Sequence, residues 1–209
     1  MQLPHIYWLA GSPCAGKSTI AGLLAARFGW RVYPCDTRLF EHGRRASPHA
    51  QPNLYRIARL TGDELWLRPV REQIETALRL CIEEFPLVLD DLQHLQLESD
   101  RPLLFEGIGA LPCLLAPLRP AAGRALWLIA TEEFQQREHA RRPAVHMALR
   151  NCSDREMALK RWLARDIGLS RWIRRDAIRH GVTWLSVDGS HSAETLADKV
   201  AAYFAAGLA

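Results

Sequence analysis

The stretch that decides the fold is GSPCAGKST, residues Gly11 to Thr19, which satisfies G-x-x-x-x-G-K-[ST] at every fixed position. Upstream, HIYWLA at 5–10 is a continuous apolar run ending on Gly11, and it reads as a buried strand. Downstream, KSTIAGLLAARFG places Ile20, Leu23, Leu24 and Phe28 at helical spacing and stops at Gly29, a suitable residue just past a helix C-terminus. Strand, glycine loop, helix is the order that phosphate binding needs. Gly11 and Gly16 allow backbone N–H groups of the loop they bound, Ser12, Pro13, Cys14 and Ala15 lying between them, to point at an anion, and the helix start adds its positive dipole end. Lys17 is then placed to reach the β- and γ-phosphates, the Ser18 hydroxyl to ligate Mg²⁺, and Thr19 closes the motif. Only three of the 27 Lys and Arg residues are lysines, and one of them falls at this fixed position. A Gly-rich turn capping an ordinary helix is the weaker reading.

Composition bounds the rest. A chain of 209 residues that is 48% hydrophobic can bury a full core, and it reads as one domain, 1–209. No apolar run reaches bilayer-spanning length, and the N-terminal apolar run is the first strand rather than a signal segment. Five widely spaced cysteines without a C-x-x-C pair suit reduced thiols, so a cytoplasmic location is expected. The net charge is +4, but the arginines are scattered in ones and twos. A solvated surface with anionic-substrate contacts accounts for them better than a nucleic-acid face. The eight histidines show no metal spacing, and the seven tryptophans fall mostly on strands and helix faces, Trp66 alone lying near a polar excursion.

Along the chain, WRVYPCD is a second strand, RPLLFEG a third, RALWLIA a fourth and VTWLSVDG a fifth. Each is apolar along its length rather than alternating, and helical segments separate them. That pattern predicts an α/β fold, a three-layer sandwich of about five parallel strands with helices on both faces. Residues 37–62, Arg-rich and broken by Pro48 and Pro52, read as an excursion from the core. Pro86 suits the first turn of a new helix, and Ser153-x-x-Glu156 a capping box opening one or two helices that run to Gly181. Neither 37–62 nor 132–150 carries a continuous apolar stripe, so both read as moving parts.

In parallel sheets, ligands lie beyond the carboxyl ends of the strands, so the polar residues there carry the candidate chemistry. Asp36, after the second strand, is placed to orient an acceptor hydroxyl and take its proton; its bland alternative is a helix cap. Glu106, ending LLFE before Gly107, is the candidate magnesium acid. FPLVLDD competes for that role: if the sheet ran through 87–90, Asp90 would replace Glu106, whereas on a helical reading Asp90 and Asp91 are solvated. After the fourth strand, Arg137 and Arg141 lie one helical turn apart with Arg142 beside them, suited to spread phosphoryl charge. In the excursion, Arg38, Arg44, Arg45, Arg56 and Arg59 could meet an anionic acceptor or simply face solvent. Asp188, Gly189 and Ser190 leave the fifth strand as a turn that could face a nucleotide base.

Taken together, GSPCAGKST, PCDT after the second strand, LLFEG at the third and FQQREHARR after the fourth resemble the small P-loop kinases, the group of nucleoside monophosphate, shikimate and gluconate kinases and chloramphenicol phosphotransferase. The resemblance implies ATP and Mg²⁺ as cofactors, an acceptor-binding insertion at about 37–84 and an Arg-bearing lid at about 132–150. It also implies Lys17, Asp36, Arg137 and Arg141 as catalytic residues, the 11–19 loop with Asp188–Ser190 as the nucleotide site, and Ser18 with Glu106 at the metal. No DGFPR-like stretch and no glycine triplet follow the third strand, which leaves the small-molecule acceptor open. Two other readings stay open: a nucleotide-dependent switch or slow ATPase with no small acceptor, and a nucleic-acid phosphorylating or binding protein.

Overall fold

The structure, a computed structural model, describes residues 5–206. β1 (Ile6–Gly11) leads through the glycine loop into α1 (Lys17–Phe28), and β2 (Arg31–Pro34) follows. Next come α2 (Cys35–Arg45), α3 (Pro52–Ile57), α4 (Gly62–Trp66) and the long α5 (Val70–Glu98). β3 (Leu103–Gly107), α6 (Pro112–Leu115) and β4 (Ala125–Ala130) complete the centre. Then α7 (Glu132–Glu138), α8 (Pro143–Ala148), α9 (Arg155–His180), β5 (Trp184–Val187) and α10 (Ala193–Ala206) finish the chain. The sheet is wholly parallel in the order β2-β3-β1-β4-β5. This is the expected α/β sandwich.

β1 lies at the centre and buries both faces, which is why its sequence is apolar without alternation. Ile6, Trp8 and Ala10 face α5, α6 and α9, packing with Phe85, Val88, Leu92, Phe105 and Ile173. Tyr7 and Leu9 face the opposite layer of α1 and α10, among Ile20, Leu24, Val200 and Phe204. A smaller cluster of Val145, Leu149, Cys152 and Ala158 receives Trp66 and Trp162, whose rings stack 3.7 Å apart.

The structure corrects four local expectations. Pro86 lies inside α5 rather than opening a helix. Pro86 and Ile82 are both exposed, so water can take the Ile82 carbonyl that the proline leaves without a donor. Asp90 is solvated as expected, but Asp91 belongs to an internal ion network. The cap of α9 is Asp154, which accepts from the Met157 N–H, while Ser153 bonds Asp63 instead; α9 is one helix, closed by Gly181. Finally, 37–62 and 132–150 do bury apolar side chains. Leu54 and Ile57 are buried, the Leu54 N–H donates to Glu83 at 2.8 Å, and Val145 and Leu149 are buried in the small cluster.

Candidate functional site

The loop between β1 and α1 rests on β4. Gly11 has φ +131°, and a Cβ there would lie 1.9 Å from the Leu128 carbonyl oxygen, so only glycine lets the strand end so close to its neighbour. Ser12 fastens the loop: its N–H donates to the Leu128 carbonyl at 2.9 Å and its hydroxyl accepts from the Ala130 N–H at 2.8 Å. Lys17 is buried and its ammonium donates to the Ser12 carbonyl at 2.7 Å, which holds the charge against the loop.

Two carboxylates stand at the adjoining strand ends. The Ser18 hydroxyl lies 3.1 and 3.2 Å from the Glu106 carboxylate oxygens, joining the start of α1 to the end of β3. β3 runs through 103–107 and Asp90 lies on α5, so Glu106 rather than Asp90 stands at a strand end. Burial pushes the Glu106 carboxyl up, and nearby Asp36 adds to the rise, against Lys17 and the Ser18 hydroxyl. Asp36 lies in the first turn of α2 and accepts from the Ile108 N–H at 3.0 Å. Gly107, at φ +149°, makes room for it; a Cβ there would meet Asp36 Oδ1 and Cys35 Cβ, each at 2.8 Å.

Among the described residues, no group of three His, Cys, Asp or Glu is disposed to hold a metal. The pair of Ser18 and Glu106 nonetheless fits Mg²⁺, a hard cation that takes few protein oxygens and completes its shell with water and phosphate.

From the loop a cavity of about 730 Å³ opens, large enough for a nucleotide end and a second small molecule. Residues 13–19 form its floor; Asp36, Leu39, Ala77, Leu80, Cys81, Glu84 and Ile108 form one wall. Phe134, Glu138, Arg141, Arg142, Trp162, Arg165, Asp166 and Leu169 form the other. Arg141 pairs with Glu138 at 2.9 Å, and Arg142 donates to the Cys14 sulfur at 3.4 Å. Arg165 lies over the Trp66 and Trp162 rings and bonds Asp166 at 2.6 Å. Burial opposes the Asp166 charge, yet Arg165 and His139 outweigh it and hold the carboxyl below its usual range.

Arg137 takes another direction. Its guanidinium donates to the Asp188 carbonyl at 2.8 Å and borders Gly189, so it braces the 188–190 turn rather than lining the cavity. Asp188, Gly189 and Ser190 stand outside the cavity lining, with Asp188 bonded to Ser190. Sequence reasoning missed Arg165, Asp166, Trp162 and Glu84. Trp162, Arg165, Asp166 and Leu169 follow i, i+3, i+4, i+7 spacing, a stripe that could have marked one face of α9.

The excursion's arginines do not reach the cavity. Arg38 pairs with Glu41, Arg45 with Asp91, and Arg59 covers the Tyr55 ring. Below them, His42 is fully buried, with Nδ1 2.7 Å from Glu84 Oε1 and Nε2 2.9 Å from Asp91 Oδ2. Burial alone would lower the His42 pKa, but the two carboxylates raise it.

No family model matches the chain, and no curated protein matches it. Among solved structures, the chain is similar to a shikimate kinase from Aquifex aeolicus, at 14% identity over 97% of this chain and 98% of that one, with a TM-score of 0.46. It is similar to a shikimate kinase from Acinetobacter baumannii in complex with shikimate, at 18% identity over 98% and 94%, with a TM-score of 0.47. A gluconokinase from Sinorhizobium meliloti is similar at 16% identity over 99% and 94%, with a TM-score of 0.41. These are small-molecule P-loop kinases.

Proposed function

We propose that the chain is an ATP-dependent kinase that transfers the γ-phosphoryl group to a small acceptor. The observation that carries this reading is the joining of three parts: a phosphate loop ending in Lys17 and Ser18, the Glu106 carboxylate on Ser18, and Asp36 at the edge of a cavity that continues past the loop. A switch or ATPase needs the first two; the third, a carboxylate beside room for a second molecule, suits transfer to an acceptor.

In this reading the 11–19 loop holds the polyphosphate by its N–H groups, and Lys17 neutralises the β- and γ-oxygens. Ser18 and Glu106 would hold Mg²⁺, which supplies charge neutralisation on the phosphates when bound. Asp36 orients the acceptor hydroxyl. Its proton passes to the Asp36 carboxylate as the acceptor oxygen bonds to the γ-phosphorus and the bond from that phosphorus to the bridging oxygen breaks, leaving ADP. Arg141 and Arg142 stabilise the charge on the transferring oxygens, and residues 132–150 serve as the lid over an insertion at about 37–84. Arg137 positions the Asp188–Ser190 turn beside the base.

Lys17→Ala should lower turnover by about 10²–10³-fold. Asp36→Asn should lower acceptor phosphorylation by about 10²-fold or more while MgADP binding stays as in the parent. Turnover unaffected by Asp36→Asn would shift the assignment to hydrolysis without an acceptor.

A further inference from the structure

The two walls of the cavity differ in kind. All three arginines that line it, Arg141, Arg142 and Arg165, belong to the lid and α9. The facing wall, from α2, α5 and the residue after β3, carries Leu39, Ala77, Leu80 and Ile108 with Asp36 and Glu84, and no cation. Both of its charged groups are hydrogen-bond acceptors.

Glu84 is held in place from behind. It is 5% exposed, and its Oε1 meets Nδ1 of His42, whose other ring nitrogen meets Asp91. A ring facing carboxylate oxygens with both nitrogens serves them best as the imidazolium, which donates twice. Asp91 is balanced in turn by Arg45 at 2.6 Å and by the Tyr33 hydroxyl at 2.9 Å. Burial pushes the Glu84 carboxyl up and His42 opposes the rise, so the network holds Glu84 in place as an acceptor beside Asp36, among the apolar residues of that wall. A carboxylate or phosphate placed there would face Asp36 and Glu84 with no cation on that wall to pair it, which disfavours an anion at that end of the cavity.

We infer that the acceptor is a donor-rich, non-anionic molecule, a polyol or amino alcohol with an apolar edge, and that Glu84 recognises its hydroxyl or ammonium group while Asp36 holds the hydroxyl to be phosphorylated. The inference rests on the kinase reading and narrows it. It predicts that sugar acids, phosphorylated sugars and nucleotides are poor acceptors.

The test is a melting-temperature screen in MgADP with compounds matched in skeleton and different in charge: myo-inositol (neutral), 2-deoxystreptamine (cationic) and quinate (anionic), extended to linear polyols, amino alcohols and sugar acids. Ligand binding to the native state raises the melting temperature with affinity. Neutral and cationic members should shift it and anionic members should not. Glu84→Gln should weaken the best cationic ligand at least about tenfold, the loss of a hydrogen bond to a charged group. Leu39→Arg, at a half-buried position on the same wall, should also weaken cationic ligands relative to neutral ones, and it serves if Glu84→Gln fails to fold. Stronger shifts from the sugar acids, no shift from any neutral or cationic member, or ligand shifts unchanged in both variants would overturn the proposal. Failure of the kinase reading looks different: MgADP itself would give no shift, or one that persists in Lys17→Ala.

Discussion

Replacing His42 by leucine tests the internal ion network most directly. His42 is fully buried between Glu84 and Asp91, and leucine has similar bulk but no N–H. Leaving a buried charge without its partner costs about 3–5 kcal/mol. Asp91 keeps Arg45 and Tyr33, so the loss falls mainly on Glu84 and the lower end, about 3 kcal/mol, applies. In a domain of this size each kcal/mol is worth roughly 2–4 °C, so the melting temperature should fall by about 6–12 °C at neutral pH. The sign of the pH dependence follows from the shifts. The His42 pKa is raised above its ordinary 6.5, so its contribution is full below 6.5 and is lost as pH rises through the raised value. The gap between parent and variant should therefore shrink at alkaline pH. For Asp91, burial works against the charge, but His42, Arg45 and Tyr33 lower its pKa below 3.8; its contribution is present above that value and disappears only as strong acid protonates it. Adding Glu84→Gln to His42→Leu should restore half or more of the loss, because the orphaned charge is then gone. A fall under about 2 °C, or a double variant no better than the single, would refute the reasoning about Glu84.

Two further substitutions probe the strand ends. Gly107→Ala puts a methyl 2.8 Å from Asp36 Oδ1 at φ +149°, so it should cost about 1–3 kcal/mol and displace Asp36. Phosphoryl transfer should then fall more than MgADP binding, as separate kinetic and calorimetric measurements would reveal. Glu106→Gln keeps a hydrogen-bond partner for Ser18 but removes the charge, and should raise the Mg²⁺ concentration for half-maximal activity roughly tenfold. Burial and Asp36 raise the metal-free Glu106 carboxyl above its usual 4.5, so Mg²⁺ affinity in the parent should weaken as pH falls through the raised value and the variant's should not, as metal titrations at several pH values would reveal.

How much of this was legible in the sequence depends on how locally each feature is encoded. The phosphate loop is local: its glycines, Lys17 and Ser18 are contiguous, and β1 is recognisable because burial on both faces removes alternation. Glu106 was legible as a strand-end acid, but only the pairing of β3 with β1 and β2 decides it against Asp90. Pro86 misled because a proline rule speaks of the backbone, while its tolerance in α5 depends on which side meets solvent. The excursion misled for a related reason. α2 buries a histidine rather than an apolar stripe, and a polar core residue has no periodic signature. His42 and Glu84 meet across 42 positions of sequence, Arg165 and Trp66 across a fold, so the walls of the cavity are assembled from residues without a motif. This asymmetry follows from the chemistry. Polyphosphate is bound by backbone N–H groups, which demand a particular loop sequence wherever they occur. An acceptor is bound by side chains brought from separate helices, and different helix faces can supply the same donors and acceptors. The phosphate end can therefore be read from nine residues, whereas the acceptor end has to be read from the charge of a wall.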